Sequence, residues 1–285
     1  MPEQMLPRFL NHADLIALNE DLWRKTGCFA FLRPHSLLIH AENRTYRDQF
    51  MLLSIGLYVV YHDFGCQYLD FFLDDSNCPP SLPYPYGHRQ HKNVILNTLR
   101  PAVAHGLLGD GAKNSFWTEI AKHYIQTLTP KQQGWSEYVD TVTEDQWEAA
   151  TDRLKFDADT FYDFLVAWGD NHNANLRMQF AQSNRFRYSI NRRVCESILK
   201  ENGVSNKDLN KFLSSSTNPN PNIDKWRNIL GIEYGNGVLK TADELYDRLC
   251  ILINTDVLNA TNAVVQSSLQ SAVKYGFSIP ASGTP

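Results

Sequence analysis

One short stretch of the 285-residue chain places an arginine and a histidine five positions apart, with four apolar residues between them. These residues are Arg100 and His105. A guanidinium stays protonated and offers a planar fork to two phosphate oxygens, whereas an imidazole can take up or release a proton near neutral pH. Together the two groups suit cleavage of a phosphodiester without a metal ion, because one stabilises the developing charge and the other moves a proton.

The stretch resembles the Arg-x4–6-His motif of HEPN-domain proteins, a helical family that includes metal-independent endoribonucleases. The resemblance extends over Val94 to Asp110, with a leucine before the arginine and Ala-His-Gly at the end. It implies that Arg100 binds the phosphate of single-stranded RNA, that His105 handles protons, and that no cofactor or metal takes part. It also implies a homodimer with two motifs around one cleft, and a role in antiviral defence or as a toxin.

Pro101 departs from the family pattern, in which a polar residue usually follows the arginine. Five residues at about 100° each leave two side chains about 140° apart on a regular helix. A kink at Pro101 would bring Arg100 and His105 closer, since proline disfavours helical geometry in the residue before it. An inactive HEPN-like domain that only binds RNA is the alternative within the family.

A second segment, residues 183–193, interleaves arginines with aromatic residues. Arginines bind phosphates and aromatic rings stack on unpaired bases, so this composition is typical of single-stranded RNA binding. The predicted RNA-binding residues are Arg185, Arg187, Tyr188, Arg192 and Arg193. The alternative is an amphipathic helix whose arginines pair with the acidic residues that precede it.

Those acidic residues dominate residues 140–170, where nine carboxylates face one arginine and one lysine. From Asn171 to Cys195 the chain has no acidic residue at all. The acidic stretch supports a second hypothesis of a different class, a non-catalytic helical adaptor that docks on a partner protein. A regulatory protein is therefore a further candidate partner, beside RNA and a second copy of the chain.

Two other patterns are weaker. Residues 169–175 resemble the Gly-Asp-x-His-x-x-Asn loop of aminoglycoside-phosphotransferase-like kinases, but Trp168 replaces the usual histidine and no glycine-rich phosphate loop precedes it. His88 with His91, or His62 with Cys66, has a usable metal-ligand spacing, yet neither pair has a matching partner pair. We therefore predict no metal site, and a phosphotransferase remains a third option.

The elements that would position these residues are mainly helical. Apolar residues recur every three to four positions in most segments, so the sequence predicts a mainly α fold with a small helical C-terminal unit. The resemblance implies that the main part is a HEPN-like helical bundle. The predicted helices cover residues 13–25, 46–73 with a bend at Gly65, 91–108, 115–128, 140–170, 226–230, 242–253 and 257–273. Residues 28–39 could be a strand pair or an irregular loop.

The predicted organisation has three parts. Residues 1–213 form the main helical domain with the HEPN-like motif, and residues 223–285 form the C-terminal unit. Between them, residues 214–222 are polar and rich in turn-forming residues, as linkers are.

Composition limits the remaining choices. The net charge is −4, so nucleic-acid binding has to come from a local patch. No apolar run reaches the roughly 18 residues of a membrane span, which predicts a protein without a membrane-embedded part. The five cysteines are widely spaced and the N-terminus lacks a signal-peptide pattern, so we expect reduced thiols and a cytoplasmic location.

Overall fold

The computed structural model describes residues 6–32, 44–99, 142–172, 175–205, 208–209, 212–213 and 221–274. Over these ranges the chain is mainly α-helical and has no β-strand, which confirms the prediction of a mainly α fold. None of the helices in these ranges combines the length and the apolar character needed to cross a lipid bilayer.

The first helix, α1 (His12–Thr26), follows a 3-10 turn at Arg8–Leu10. Asn11 caps it, because its side-chain oxygen accepts hydrogen bonds from the amides of Ala13 at 2.9 Å and Asp14 at 3.4 Å. The helix ends at Gly27, which adopts a left-handed conformation with φ 74°. These bounds agree with the prediction to within one residue.

The long apolar segment forms two helices joined by a π-helical turn. Helix α2 (Tyr46–Tyr58) continues into the π-helix Val59–Phe64, and α3 (Cys66–Phe72) follows after Gly65. A Cβ atom at Gly65 would lie 2.7 Å from Leu69 and 2.9 Å from Phe31. The predicted bend at Gly65 thus coincides with a position where the chain needs a residue without a side chain.

The next helix, α4 (Tyr86–Val94), begins five residues earlier than predicted and leads into a second π-helix, Ile95–Leu99. The start of this helix was not predicted because its first turn contains few apolar residues. Residues 100–141, which include Pro101 and the helix predicted over residues 115–128, lie outside the described residues.

The acidic stretch folds as the 27-residue helix α5 (Glu144–Asp170), as predicted. The side chain of Gln146 closes its first turn by accepting a hydrogen bond from the Thr143 amide at 2.8 Å. Its apolar side, which includes Phe161, Leu165 and Trp168, is fully buried against α1, α2 and α4. The carboxylates are left on the outer side.

Residues 177–201, which include the arginine-rich segment 183–193, form three short helices, so the segment itself is not one amphipathic helix. They are α6 (Arg177–Gln182), α7 (Asn184–Ser189) and α8 (Arg192–Glu201). Ser183 and Asn191 cap the second and third of these, since their side chains accept hydrogen bonds from the following amides. Each cap begins a new helix, so this part of the chain is divided at Ser183 and at Asn191.

The C-terminal part consists of α9 (Pro221–Gly235) and α10 (Ala242–Lys274). The sequence predicts two helices over the range that α10 spans, with a break at residues 254–256. In the structure these residues stay helical. Thr255 donates to the Ile251 carbonyl at 2.8 Å, and Asp256 accepts from Lys225 and from the Trp226 indole.

The same part shares the hydrophobic core of the preceding helices. The ring of Tyr234 in α9 is fully buried and stacks on Phe186 with centroids 5.3 Å apart. The Tyr234 hydroxyl donates to the carbonyl of Gly27, at the end of α1. The proposed linker, residues 214–222, lies mostly outside the described residues, and its last two residues belong to α9. The domain boundary stays a prediction.

Candidate nucleic-acid interface

The predicted catalytic pair, Arg100 and His105, lies outside the described residues. The last described residue before this pair is Leu99, whose side chain is fully buried at the end of the second π-helix. How the two side chains are arranged therefore stays a prediction.

The four arginines predicted to bind RNA fall on two of the short helices. Arg185 and Arg187 belong to α7, and Arg192 and Arg193 form the first turn of α8. We call these four residues the arginine segment. Tyr188 also belongs to α7, but its side chain lies outside what the structure describes.

Two of these arginines are engaged within the protein. The Arg185 guanidinium donates to Gln67 at 3.3 Å and to Asp70 at 3.5 Å, and 44% of its side chain is exposed. The same Asp70 carboxylate accepts from the ammonium of Lys92, which is buried on α4. Asp70 therefore joins the arginine segment to the helix that leads towards Arg100. Arg192 pairs with Glu196 one turn further along α8, at 2.5 Å.

The other two arginines are available to a ligand. Arg187 and Arg193 are exposed, and within the described part of the chain neither side chain makes a hydrogen bond or an ion pair. Each therefore presents an uncompensated positive charge to solvent.

The carboxylates of α5 do not supply that compensation. Arg8 holds Asp159 and Asp163, the latter at 2.7 Å, and Lys25 binds Asp170. At the start of the helix, Tyr46 donates from its amide to Glu144 and from its hydroxyl to Glu148. Among the described residues, no arginine of the segment pairs with an acid of α5, although the predicted alternative requires such pairs.

A polar groove of about 730 Å³ lies beside Arg185. Most of its lining is uncharged and capable of hydrogen bonding, with amide side chains at Asn77, Gln179, Gln182 and Asn184. Asn77 is held in place, since Gln179 donates to its side-chain oxygen at 2.8 Å and its own amide donates to the Phe71 carbonyl at 3.1 Å. Amides can both donate to and accept from the edges of unpaired bases.

A second groove, of about 300 Å³, contains Arg193. We call it the His62 groove, after a histidine in the π-helical turn between α2 and α3. Its lining includes His62, Asp63, Phe64, Arg193, Ser197 and Tyr246. It joins residues that are far apart in sequence, which is why sequence reasoning missed His62 and Asp63 as members of a common site.

The His62 ring is held from two sides. It stacks on Tyr58 with centroids 4.9 Å apart and planes inclined by 12°, and its Nδ1 lies 2.8 Å from the Asp63 carboxylate. Because a carboxylate can only accept, Nδ1 carries the proton. Nε2 makes no hydrogen bond with the described residues and remains free to meet a ligand. π-Helical turns occur frequently at functional sites, but this turn is visible only in the structure.

His88 and His91, one of the two pairs with metal-ligand spacing, pack against aromatic side chains of the core. Burial against Phe161 and Phe164 lowers the pKa of His88, and the nearby Asp157 acts in the opposite direction. His91 is buried with its Nε2 3.1 Å from the Tyr61 hydroxyl. The described residues contain no group of three or more side chains that could hold a metal ion.

The kinase-like residues close the end of α5. Asp170 binds Lys25, and the side-chain amide of Asn171 donates to the Ala167 carbonyl at 2.8 Å. Nδ1 of His172 lies 2.9 Å from the Trp168 carbonyl. Residues 173–174 lie outside the described residues. These bonds account for the polar residues by the needs of a helix terminus.

Comparison of the chain with protein-family models, with curated proteins and with solved structures finds no match. The functional argument therefore depends on the residues themselves.

Proposed function

We propose that this protein is a HEPN-like, metal-independent endoribonuclease that binds single-stranded RNA through the arginine segment and cuts it with Arg100 and His105. The observation that carries the proposal is the pair of exposed, uncompensated guanidinium groups of Arg187 and Arg193 in a stretch without acidic residues.

Electrostatics supports a local binding surface. The chain as a whole is acidic, with a net charge of −4, so it attracts a polyanion only where positive charge is concentrated. Arginine binds phosphate with a bidentate geometry that lysine cannot offer. The amide-lined groove next to Arg185 adds groups that can hydrogen-bond with unpaired bases.

The chemistry follows from the residue types. In metal-independent cleavage the 2′-oxygen attacks the phosphorus, the bond from phosphorus to the 5′-oxygen breaks, and the 2′-proton is exchanged for one on the leaving oxygen. His105 takes one of these protons or supplies the other. Arg100 stabilises the extra charge on the phosphoryl oxygens. Because each step uses only side chains, the reaction proceeds in the presence of a chelator.

The test is cleavage of a labelled single-stranded RNA by the full chain in EDTA, together with binding of the same RNA. We expect His105→Ala and Arg100→Ala to lose about 10²- to 10⁴-fold in rate while still binding RNA. We expect the double variant Arg187→Gln, Arg193→Gln to bind more weakly and to lower the slope of log K against log salt by about 1.4.

Arg24→Gln is the matched control for the binding experiment, because Arg24 is an exposed arginine on α1, with 77% of its side chain accessible. RNA cleavage that survives His105→Ala would refute the catalytic assignment. RNA binding without cleavage would point to the inactive HEPN-like alternative, and a protein that neither binds nor cuts RNA would favour the adaptor hypothesis.

A further inference from the structure

The His62 groove has the mixed lining that a nucleotide requires. Part of the lining is apolar or aromatic, with Leu32, Phe64, Val194 and Tyr246, and part is charged or polar, with Arg193 and the His62–Asp63 pair. A volume of about 300 Å³ is at the lower end of the range of small-molecule sites, which suits one nucleotide.

Arg193 supplies the charge for a phosphate group. Its guanidinium is exposed and makes no hydrogen bond or ion pair with the described residues. Its backbone amide is fixed by the Asn191 side chain at 2.9 Å, so the residue starts from a defined place in the first turn of α8. A charge-assisted bond to phosphate would leave the internal hydrogen bonds of the protein intact.

His62 supplies a second, oriented group. The Tyr58 stack and the bond to Asp63 restrain the ring before any ligand arrives, so binding costs little side-chain entropy. The carboxylate of Asp63, the acidic residue of the lining, accepts the hydrogen bond from Nδ1 of this ring. The free atom of the pair is therefore Nε2 of His62.

We infer that the His62 groove binds one nucleotide of the RNA, with Arg193 on its phosphate, Nε2 of His62 accepting a hydrogen bond from a ribose hydroxyl, and the apolar lining residues against its base. The inference rests on the proposed function, since it adds a defined subsite for that RNA. It involves neither Arg100 nor His105, and it can be tested with a mononucleotide alone.

The experiment uses the full chain with isotope-labelled histidine and follows the ring signals by NMR during a titration with adenosine 3′-monophosphate. The His62 signal is identified by its absence from His62→Gln. We expect it to shift and to saturate, and we expect binding about tenfold weaker in Arg193→Gln. Arg24→Gln, which changes an exposed arginine outside the lining, should bind like the parent protein.

Parallel titrations with inorganic phosphate and with adenosine test the ligand class, and both should bind more weakly than the nucleotide. An unmoved His62 signal, an equal response in Arg193→Gln, or equally tight binding of inorganic phosphate would overturn the inference. RNA cleavage that depends on His105 together with an unmoved His62 signal would leave the proposed function standing. A saturating His62 signal in a protein that cuts no RNA would do the reverse.

Discussion

At the scale of single residues, side chains of one type have different environments. Arg193 is exposed and unpaired within the described chain, whereas the guanidinium of Arg177 lies 4.2 Å over the Trp23 ring and helps to pack the core. The cysteines also differ in burial, since Cys28 and Cys195 are buried whereas Cys78 and Cys250 are partly exposed. Burial raises the pKa of both Cys28 and Cys195 to about 12, so they are core thiols rather than nucleophiles.

His88 gives a prediction at this scale. Burial lowers its pKa in the folded protein, so the unfolded chain takes up a proton at a higher pH than the folded chain does. This residue therefore favours folding above its unfolded pKa of about 6.5, and the advantage is lost as the pH falls through its folded pKa.

The measurement is the free energy of unfolding in urea at several values between about pH 7 and pH 5. We expect the parent protein to lose more stability over this range than His88→Gln, in which the titrating group is absent. An identical pH dependence in the two proteins would contradict this account of His88.

At the scale of elements, the π-helical turn Val59–Phe64 matters most, because it carries His62 and Asp63. Gly65 ends that turn in close contact with α3 and with the segment after α1. The amide of Leu32 donates to the Phe64 carbonyl at 3.0 Å, so this segment and the turn are joined at the same point. A change at Gly65 should therefore affect both stability and the shape of the His62 groove.

We expect Gly65→Ala to destabilise the protein by about 1–3 kcal/mol, because the new methyl group would meet Leu69 and Phe31 at less than van der Waals distance. Gly87→Ala is the control, since a Cβ there would have no neighbouring atom within 4 Å. It should be neutral or stabilise α4 by up to about 1 kcal/mol. Thermal unfolding of the two variants decides the matter, and equal melting temperatures would contradict the steric argument.

At the scale of the whole molecule, the C-terminal helices complete the core of the preceding part. Tyr234 of the C-terminal part packs against two aromatic residues of the preceding part, with its ring 5.7 Å from Phe29 and 5.3 Å from Phe186. Arg227 of α9 adds a polar link, since it donates to the Ile190 carbonyl at 2.7 Å. Without α9, these aromatic residues would be exposed to water.

We therefore expect Tyr234→Ala to lower the free energy of unfolding by about 3–5 kcal/mol, the usual cost of removing a large buried ring. Unfolding should remain a single transition when followed by tryptophan fluorescence and by circular dichroism. Two separate transitions, of which Tyr234→Ala shifts one and leaves the other unchanged, would instead indicate an independent C-terminal domain.

The sequence by itself determined the helical class, most helix positions and the candidate RNA-binding arginines. These depend on local periodicity, caps and composition, as at Asn11 and along α5. Only the tertiary structure decided which charges are compensated, since Asp70 reaches Arg185 and Arg8 reaches Asp159 across long stretches of chain. It also brought Arg193 to His62 and Asp63, because packing of α8 near the π-helical turn creates a groove that no local pattern encodes.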